Sequence, residues 1–228
     1  MVIGTSGGIG AAMLEQLQRD GSYEKVLGLS RGTEVSLDYD NESSIATAAQ
    51  SVANLCADIG CQLRLLIVAT GFLHGEQGMP ERSFANLDAG YLNQVFKINT
   101  LGPALVMKHF LPLLPKTGRC VAGFISARVG SIGDNTLGGW YGYRASKAAL
   151  NQLVKTASVE LSRRSSGSIC VSLHPGTVAT QLSKPFAKTG LNVRSANHAA
   201  SDLLAVISGL SVLDTGCLVD YQGHKLPF

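Results

Sequence analysis

Apolar runs of strand length alternate with helix-period segments along the whole chain, and this alternation restricts the fold more than any other feature. Val26 to Leu29, Leu63 to Ala69, Cys120 to Ile125 and Ile169 to Leu173 read as buried strands, with amphipathic stretches between them. Such an order predicts βαβ units and an α/β, doubly wound parallel sheet of the Rossmann type, layered α/β/α. The 228 residues, 45% of them hydrophobic, suffice for one domain with a large core. Gly216 to Tyr221 resembles a last strand, and the tail Gln222 to Phe228 carries no further helical pattern. The Gly- and Ser-rich segment Ser126 to Gly142 and the aperiodic stretch Gln181 to Asn197 are expected loops over a ligand site, beyond the carboxyl ends of the strands.

Charge and cysteine usage exclude several classes. A net charge of +3 with 15% charged residues gives no basic field for nucleic acid or an anionic membrane, so a small soluble ligand is the expected partner. Cys56, Cys61, Cys120, Cys170 and Cys217 form an odd, scattered set without metal-ligating spacing, as reduced intracellular thiols do. No stretch approaches the roughly 20 apolar residues that span a bilayer, and no basic segment leads into an apolar run at the N-terminus. A cytoplasmic protein is expected.

Met1-Val2-Ile3 runs into Gly4-Thr5-Ser6-Gly7-Gly8-Ile9-Gly10 and then into a helical pattern. Gly4, Gly8 and Gly10 permit a tight strand-to-helix turn whose backbone, with Ser6 and Ile9, can approach a pyrophosphate at a helix N-terminus. The alternative is a tight turn with no ligand. Only a few residues precede the turn, against about five or six in an ordinary strand, so the first strand reads as clipped.

The second strand ends at Ser30-Arg31, where an NAD-preferring protein ordinarily presents a carboxylate to the ribose 2′-hydroxyl. Arg31 can instead pair bidentately with a 2′-phosphate, which predicts NADP over NAD; the plainer alternative is an exposed strand-end arginine. Asp38, after Leu37, is placed to reach an adenine amino group, although Asp38 and Asp40 are equally natural turn residues.

Tyr143-Arg144-Ala145-Ser146-Lys147 opens a helical pattern with an apolar face at Leu150, Leu153, Val154, Ala157 and Leu161. At i and i+4 the tyrosine and lysine share one side of the helix. A phenol is a poor proton donor at neutral pH unless a cation beside it favours the phenolate, so the pair can shuttle a proton while a nicotinamide carries hydride. A bare Y-x-x-x-K is common; the glycine-rich start far upstream gives this one weight.

Taken together, Gly4-x-x-x-Gly8-Ile9-Gly10, Asn99 in Lys97-Ile98-Asn99-Thr100, Tyr143-x-x-x-Lys147 and Pro175-Gly176-Thr177-Val178-Ala179-Thr180 resemble the short-chain dehydrogenase/reductase family over almost the whole chain. Ser126 to Ile132, Gly139 to Lys147 and the tail from Asp220 are similar to its C-factor-like branch. The resemblance implies that Tyr143 is the general acid of carbonyl reduction. Lys147 would lower its pKa and bind the nicotinamide ribose, and Asn99 would hold a water linking Lys147 to solvent. Pro175, Gly176, Val178 and Thr180 would line the nicotinamide. The resemblance also implies a homodimer or homotetramer.

Two departures stand out. The family's serine pair after the fifth strand ends here in Ala127, so Ser126 or Ser131 is left as the candidate contact for a substrate carbonyl. The usual Asn-Asn-Ala-Gly is replaced by Val68-Ala69-Thr70-Gly71, where Ala69 and Gly71 keep the backbone approach to the adenosine side. The five histidines read as structural residues, and Trp140 and Tyr141 read equally as pocket wall or packing. The leading expectation is NADP(H)-dependent interconversion of a carbonyl and an alcohol on a small molecule. The alternative is a dinucleotide-binding regulatory protein with little turnover.

Overall fold

The computed structural model describes residues 1–186 and 193–228. A seven-stranded sheet runs in the order β2-β1-β3-β4-β5-β6-β7, from β1 (Val2–Ile3), β2 (Gly28–Leu29), β3 (Leu65–Val68), β4 (Cys120–Ile125), β5 (Ser168–His174), β6 (Leu218–Asp220) and β7 (Lys225–Leu226). Every pairing is parallel except the last. Residues of β3 and β4 are buried throughout, the burial expected of strands covered on both faces and the reason they read as unbroken apolar runs.

Helices α1 (Gly8–Asp20) and α6 (Ala196–Gly209) cover one face, packing Met13, Leu17, Leu203 and Ile207 against Val2, Ile67 and Val171. The other face carries α2 (Glu42–Asp58), α3 (Ala89–Phe96), α4 (Gly102–Phe110) and α5 (Tyr141–Arg164). There Ile45, Val106, Phe110, Leu150 and Val154 join Ile3, Leu66 and Phe124 in the larger core cluster. Side-chain caps at Asn41, Asp88 and Ser195 satisfy amides that open α2, α3 and α6. All five cysteines are free. No helix among the described residues is long and apolar enough to cross a membrane.

Three local features add to what the sequence pattern showed. The tail, which carries no helix, adds a strand: Asp220 Oδ1 accepts from the Gln222 and His224 amides, both at 2.9 Å, and turns the chain into antiparallel β7. Helix α5 begins at Tyr141 because the Glu81 carboxylate receives the Gly142 amide. Leu37 and Asp38 lie in a loop that returns to the end of β2 through Leu37 N–H donating to the Ser30 carbonyl at 3.1 Å. Of the expected loop Gln181 to Asn197, residues 187–192 lie outside the described residues.

Strand order reverses direction at β1, whose neighbours are β2 and β3. The crevice at that switch point, above the carboxyl ends of the strands, is where an open α/β sheet accepts a ligand.

Candidate active site

A cavity of about 650 Å³ fills this crevice. At one end it is lined by the turn from β1 to α1. Gly4 has φ +92, open to glycine at little cost, and brings its backbone against Ala69 and Thr70. Gly8 also faces the cavity, and a Cβ there would come 3.0 Å from the Thr180 methyl. Gly10 lies beneath the turn and off the lining, where a Cβ would overlap the Gly4 carbonyl oxygen; it permits close packing of helix on strand. Ser6 and Ile9 line the same end, where the first turn of α1 offers backbone donors and the positive end of its dipole.

Ser30, Arg31 and Asp38 line the adjoining wall. Arg31 is exposed and has no acidic partner among the described residues, whereas nearby Lys97 is bridged to Asp40 at 2.6 Å. Ala69 and Gly71 form the middle of the floor. Tyr39, which sequence reasoning missed, also lines the cavity; its hydroxyl lies 2.9 Å from Thr70 Oγ1 and its ring covers Gly102.

The first turns of α5 carry Tyr143 and Lys147 to the opposite end, both buried and both on the lining. Lys147 Nζ donates to the Ile125 carbonyl at 2.9 Å and stands 5.9 Å from the Tyr143 ring centroid. Burial pushes the phenol up to about 12 and the ammonium down to about 7. Desolvation thus outweighs the acidifying influence expected of the lysine on the tyrosine.

Asn99 sits in a π turn, Lys97–Leu101, between α3 and α4. Its Oδ1 accepts from Phe72 N–H at 2.7 Å, and its Nδ2 donates to the Phe72 carbonyl at 2.8 Å and to Ser146 Oγ at 3.1 Å. Both amide protons are committed to tying the segment after β3 onto α5, and the residue lies off the lining. Ser126 lines the cavity but gives its hydroxyl proton to Asn151 Oδ1 at 2.7 Å. Ser131 lies off the lining, accepting from the Asp134 amide at 3.1 Å after the short helical turn Arg128–Gly130. Ala127 stands on the lining, clustered with Tyr143 and Leu73.

Pro175, Gly176, Val178 and Thr180 form the wall after β5. Gly176 takes φ +75 against the Tyr221 ring, and Arg194 stacks 4.1 Å from the centroid of that ring. Trp140 lines the cavity and Tyr141 does not. Two histidines read as structural, His74 and His174, are also on the lining, as are Leu182 and Phe186. His74 follows β3, His174 ends β5, and Leu182 and Phe186 come from the segment after β5, so they carry no shared signal in the sequence.

A glycine cradle that a Cβ would fill, a helix N-terminus and an unpaired guanidinium at one end fit a nicotinamide dinucleotide, with a buried tyrosine and lysine at the other. Fold and site together define a Rossmann-type oxidoreductase. Residues 1–190 match the short chain dehydrogenase family, and the chain belongs to it. It is 36% identical over 146 residues to the C-signal of Myxococcus xanthus, covering 64% of this chain and 84% of that protein. It is 32% identical over 209 residues to an uncharacterized oxidoreductase of Schizosaccharomyces pombe, covering 85% of this chain and 77% of that one. The crystal structure of NADPH-bound carbonyl reductase from chicken fatty liver superposes with a TM-score of 0.85 at 26% identity, covering 100% of this chain and 97% of that one.

Proposed function

We propose that the protein interconverts a carbonyl and an alcohol on a small molecule with NADP(H), Tyr143 exchanging the proton. The observation that carries this reading is the buried Tyr143 and Lys147 at one end of a single cavity whose other end holds the glycine turn and Arg31. The likeness to an NADPH-bound carbonyl reductase supports it.

The amides around Gly4, Ser6, Gly8 and Ile9 are suited to hold the pyrophosphate, Arg31 the 2′-phosphate and Asp38 the adenine. Ser30, Ala69 and Gly71 border the adenosine half, while Lys147 and the Pro175 to Thr180 wall border the nicotinamide half. When bound, the dinucleotide supplies or accepts the hydride. Burial keeps Tyr143 protonated at neutral pH, so in reduction its phenol gives a proton to the carbonyl oxygen. Lys147 in its charged form steadies the phenolate that remains. In oxidation the same phenolate takes the alcohol proton. Asn99 acts by fixing Phe72 and Ser146 behind this pair.

Ala127 supplies no hydroxyl to the substrate carbonyl, and losing one such donor lowers the rate on the order of a hundredfold. That residue favours a second reading, a dinucleotide-binding regulatory protein with little turnover. NADPH and NADH titrations followed by a carbonyl panel, with Tyr143→Phe beside the wild type, separate the two. Tyr143-dependent oxidation of NADPH supports the enzyme; binding without it supports the regulator. A homodimer or homotetramer in the cytoplasm is part of the same proposal, resting on the family resemblance and checked by sedimentation and cell fractionation.

A further inference from the structure

Trp140 is the only non-glycine residue with a left-handed backbone among the described residues, at φ 52, and it follows Gly138 and Gly139 at φ 64 and 65. Such a conformation strains a bulky residue and persists only where the surroundings impose it. Glu81, buried at 2% exposure, imposes it here. Its main-chain carbonyl accepts the Trp140 amide at 2.5 Å, and both carboxylate oxygens lie 3.1 Å from the Gly142 amide at the N-terminus of α5.

The indole is thereby held on the cavity wall, its centroid 6.1 Å from that of Tyr143 at 80° and 5.0 Å from that of Phe186 at 64°. Phe186 meets the His74 ring at 5.7 Å and 64°, and His74 is itself fixed by Nε2 lying 3.0 Å from the Gln181 carbonyl oxygen. A row of rings joined edge to face offers a flat aromatic guest both edges and faces to pack on. The row begins at the proposed proton donor.

The guanidinium groups at this end are already engaged. Ala127 has no hydroxyl, and Arg128 is closed bidentately on Asp134 at 2.7 and 3.0 Å. Arg144 commits its guanidinium to the Gly139 and Val129 carbonyls at 3.0 and 3.4 Å. His174 is kept neutral near pH 7 by burial, which lowers it to about 4. A charged substrate would find no free countercharge among these residues, while an uncharged planar one would meet the row of rings beside the Tyr143 hydroxyl.

We propose that Trp140, Phe186 and His74 form a slot for the planar body of an uncharged aryl carbonyl compound, with Glu81 as the positioning residue that holds Trp140 in it. This rests on the oxidoreductase reading above and names its substrate class.

Trp140 is the chain's single tryptophan, so its fluorescence reports on the slot directly. NADPH should quench it and gain sensitised nicotinamide emission; no such transfer means that the dinucleotide reading itself fails. In NADP⁺-loaded protein, acetophenone should quench Trp140 saturably and cyclohexyl methyl ketone, its saturated counterpart, should not. In turnover the aryl ketone should be preferred in kcat/KM about 100-fold, from ring stacking at two or more side chains. Its 4-carboxylate should lose that preference. Trp140→Gly keeps the left-handed backbone without strain and should raise the acetophenone KM about tenfold more than the cyclohexyl KM, with kcat changed less. Glu81→Ala should raise the acetophenone KM in the wild-type background and have no such effect in the Trp140→Gly background, which a merely structural role would not produce. NADPH binding with aryl and cyclohexyl ketones treated alike, in quenching and in KM, overturns the slot and leaves the oxidoreductase reading intact.

Discussion

Lys147 Nζ lies 5.9 Å from the centre of the Tyr143 ring while its proton is given to the Ile125 carbonyl at 2.9 Å, so both polar groups of the pair are withdrawn from solvent together. Their burial has opposite consequences for the two charged forms: the phenol resists ionisation and the ammonium sheds its proton early.

The lysine's folded pKa of about 7 lies below its ordinary 10.5, so between those values the folded chain binds fewer protons than the unfolded one. Stability from this group therefore rises with pH across that window, and the cost of burying the charge is complete below its lower edge. Lys147→Met should raise Tm at about pH 6, by the equivalent of ~2 kcal/mol, even as turnover is lost. The gain should shrink steadily toward pH 10. Calorimetry across that range checks it, and a gain independent of pH contradicts the assignment.

Tyr143→Phe removes the proton but leaves the ring against Trp140, Ala127 and Leu73. Turnover should fall roughly 10²–10⁴-fold while NADPH affinity is retained, as measured by stopped-flow absorbance and fluorescence titration.

Restoring a hydroxyl at Ala127, beside Tyr143, should raise kcat by roughly tenfold or more, because the substrate oxygen gains a donor at the moment charge develops on it. Steady-state kinetics of Ala127→Ser decide this. An unchanged kcat would mean that carbonyl polarisation does not limit the rate.

Arg31→Glu places a carboxylate where the 2′-phosphate is proposed to lie. NADPH should bind about 100-fold more weakly, from loss of charge-assisted hydrogen bonds and added repulsion, and NADH should bind no worse. Isothermal titration with both cofactors measures the switch.

Asn99→Ala strips three hydrogen bonds that close on Phe72 and Ser146. The half-buried Phe72 backbone groups left behind should cost about 2 kcal/mol in a urea titration. Asn99→Asp, which keeps the acceptor for Phe72 N–H, should recover part of that loss.

Elements whose residues are decided locally were legible beforehand. The apolar runs that became β3 and β4 could be read because strands covered on both faces need no alternation. The glycine turn could be read because Gly4 and Gly10 answer to backbone geometry alone. Helix α5 showed its apolar face and its Tyr143 and Lys147 one turn apart. By contrast, two-residue β7 is too short to show a period, and depends on the Asp220 side chain turning the chain back.

The aromatic wall was out of reach for a different reason. Trp140 points where it does because Glu81, far away in sequence, fixes its backbone, and Phe186 and His74 arrive from two other loops. Ser131, one of two serines left as candidates for a substrate contact, follows the turn Arg128–Gly130 and lies off the lining, a placement no spacing rule encodes. Asn99 was found by motif, but its ties to Phe72 and Ser146 are tertiary and could be seen only in the fold.

Gly8 leaves only 3.0 Å between a would-be methyl and Thr180, so the opening loop and the loop after β5 abut with no room for a side chain between them. The two segments must be inherited as a matched set. A chimera that borrows its first βα unit from a relative should accept the graft only when the stretch around Thr180 travels with it, and recombination breakpoints that part the two should yield poorly folded progeny.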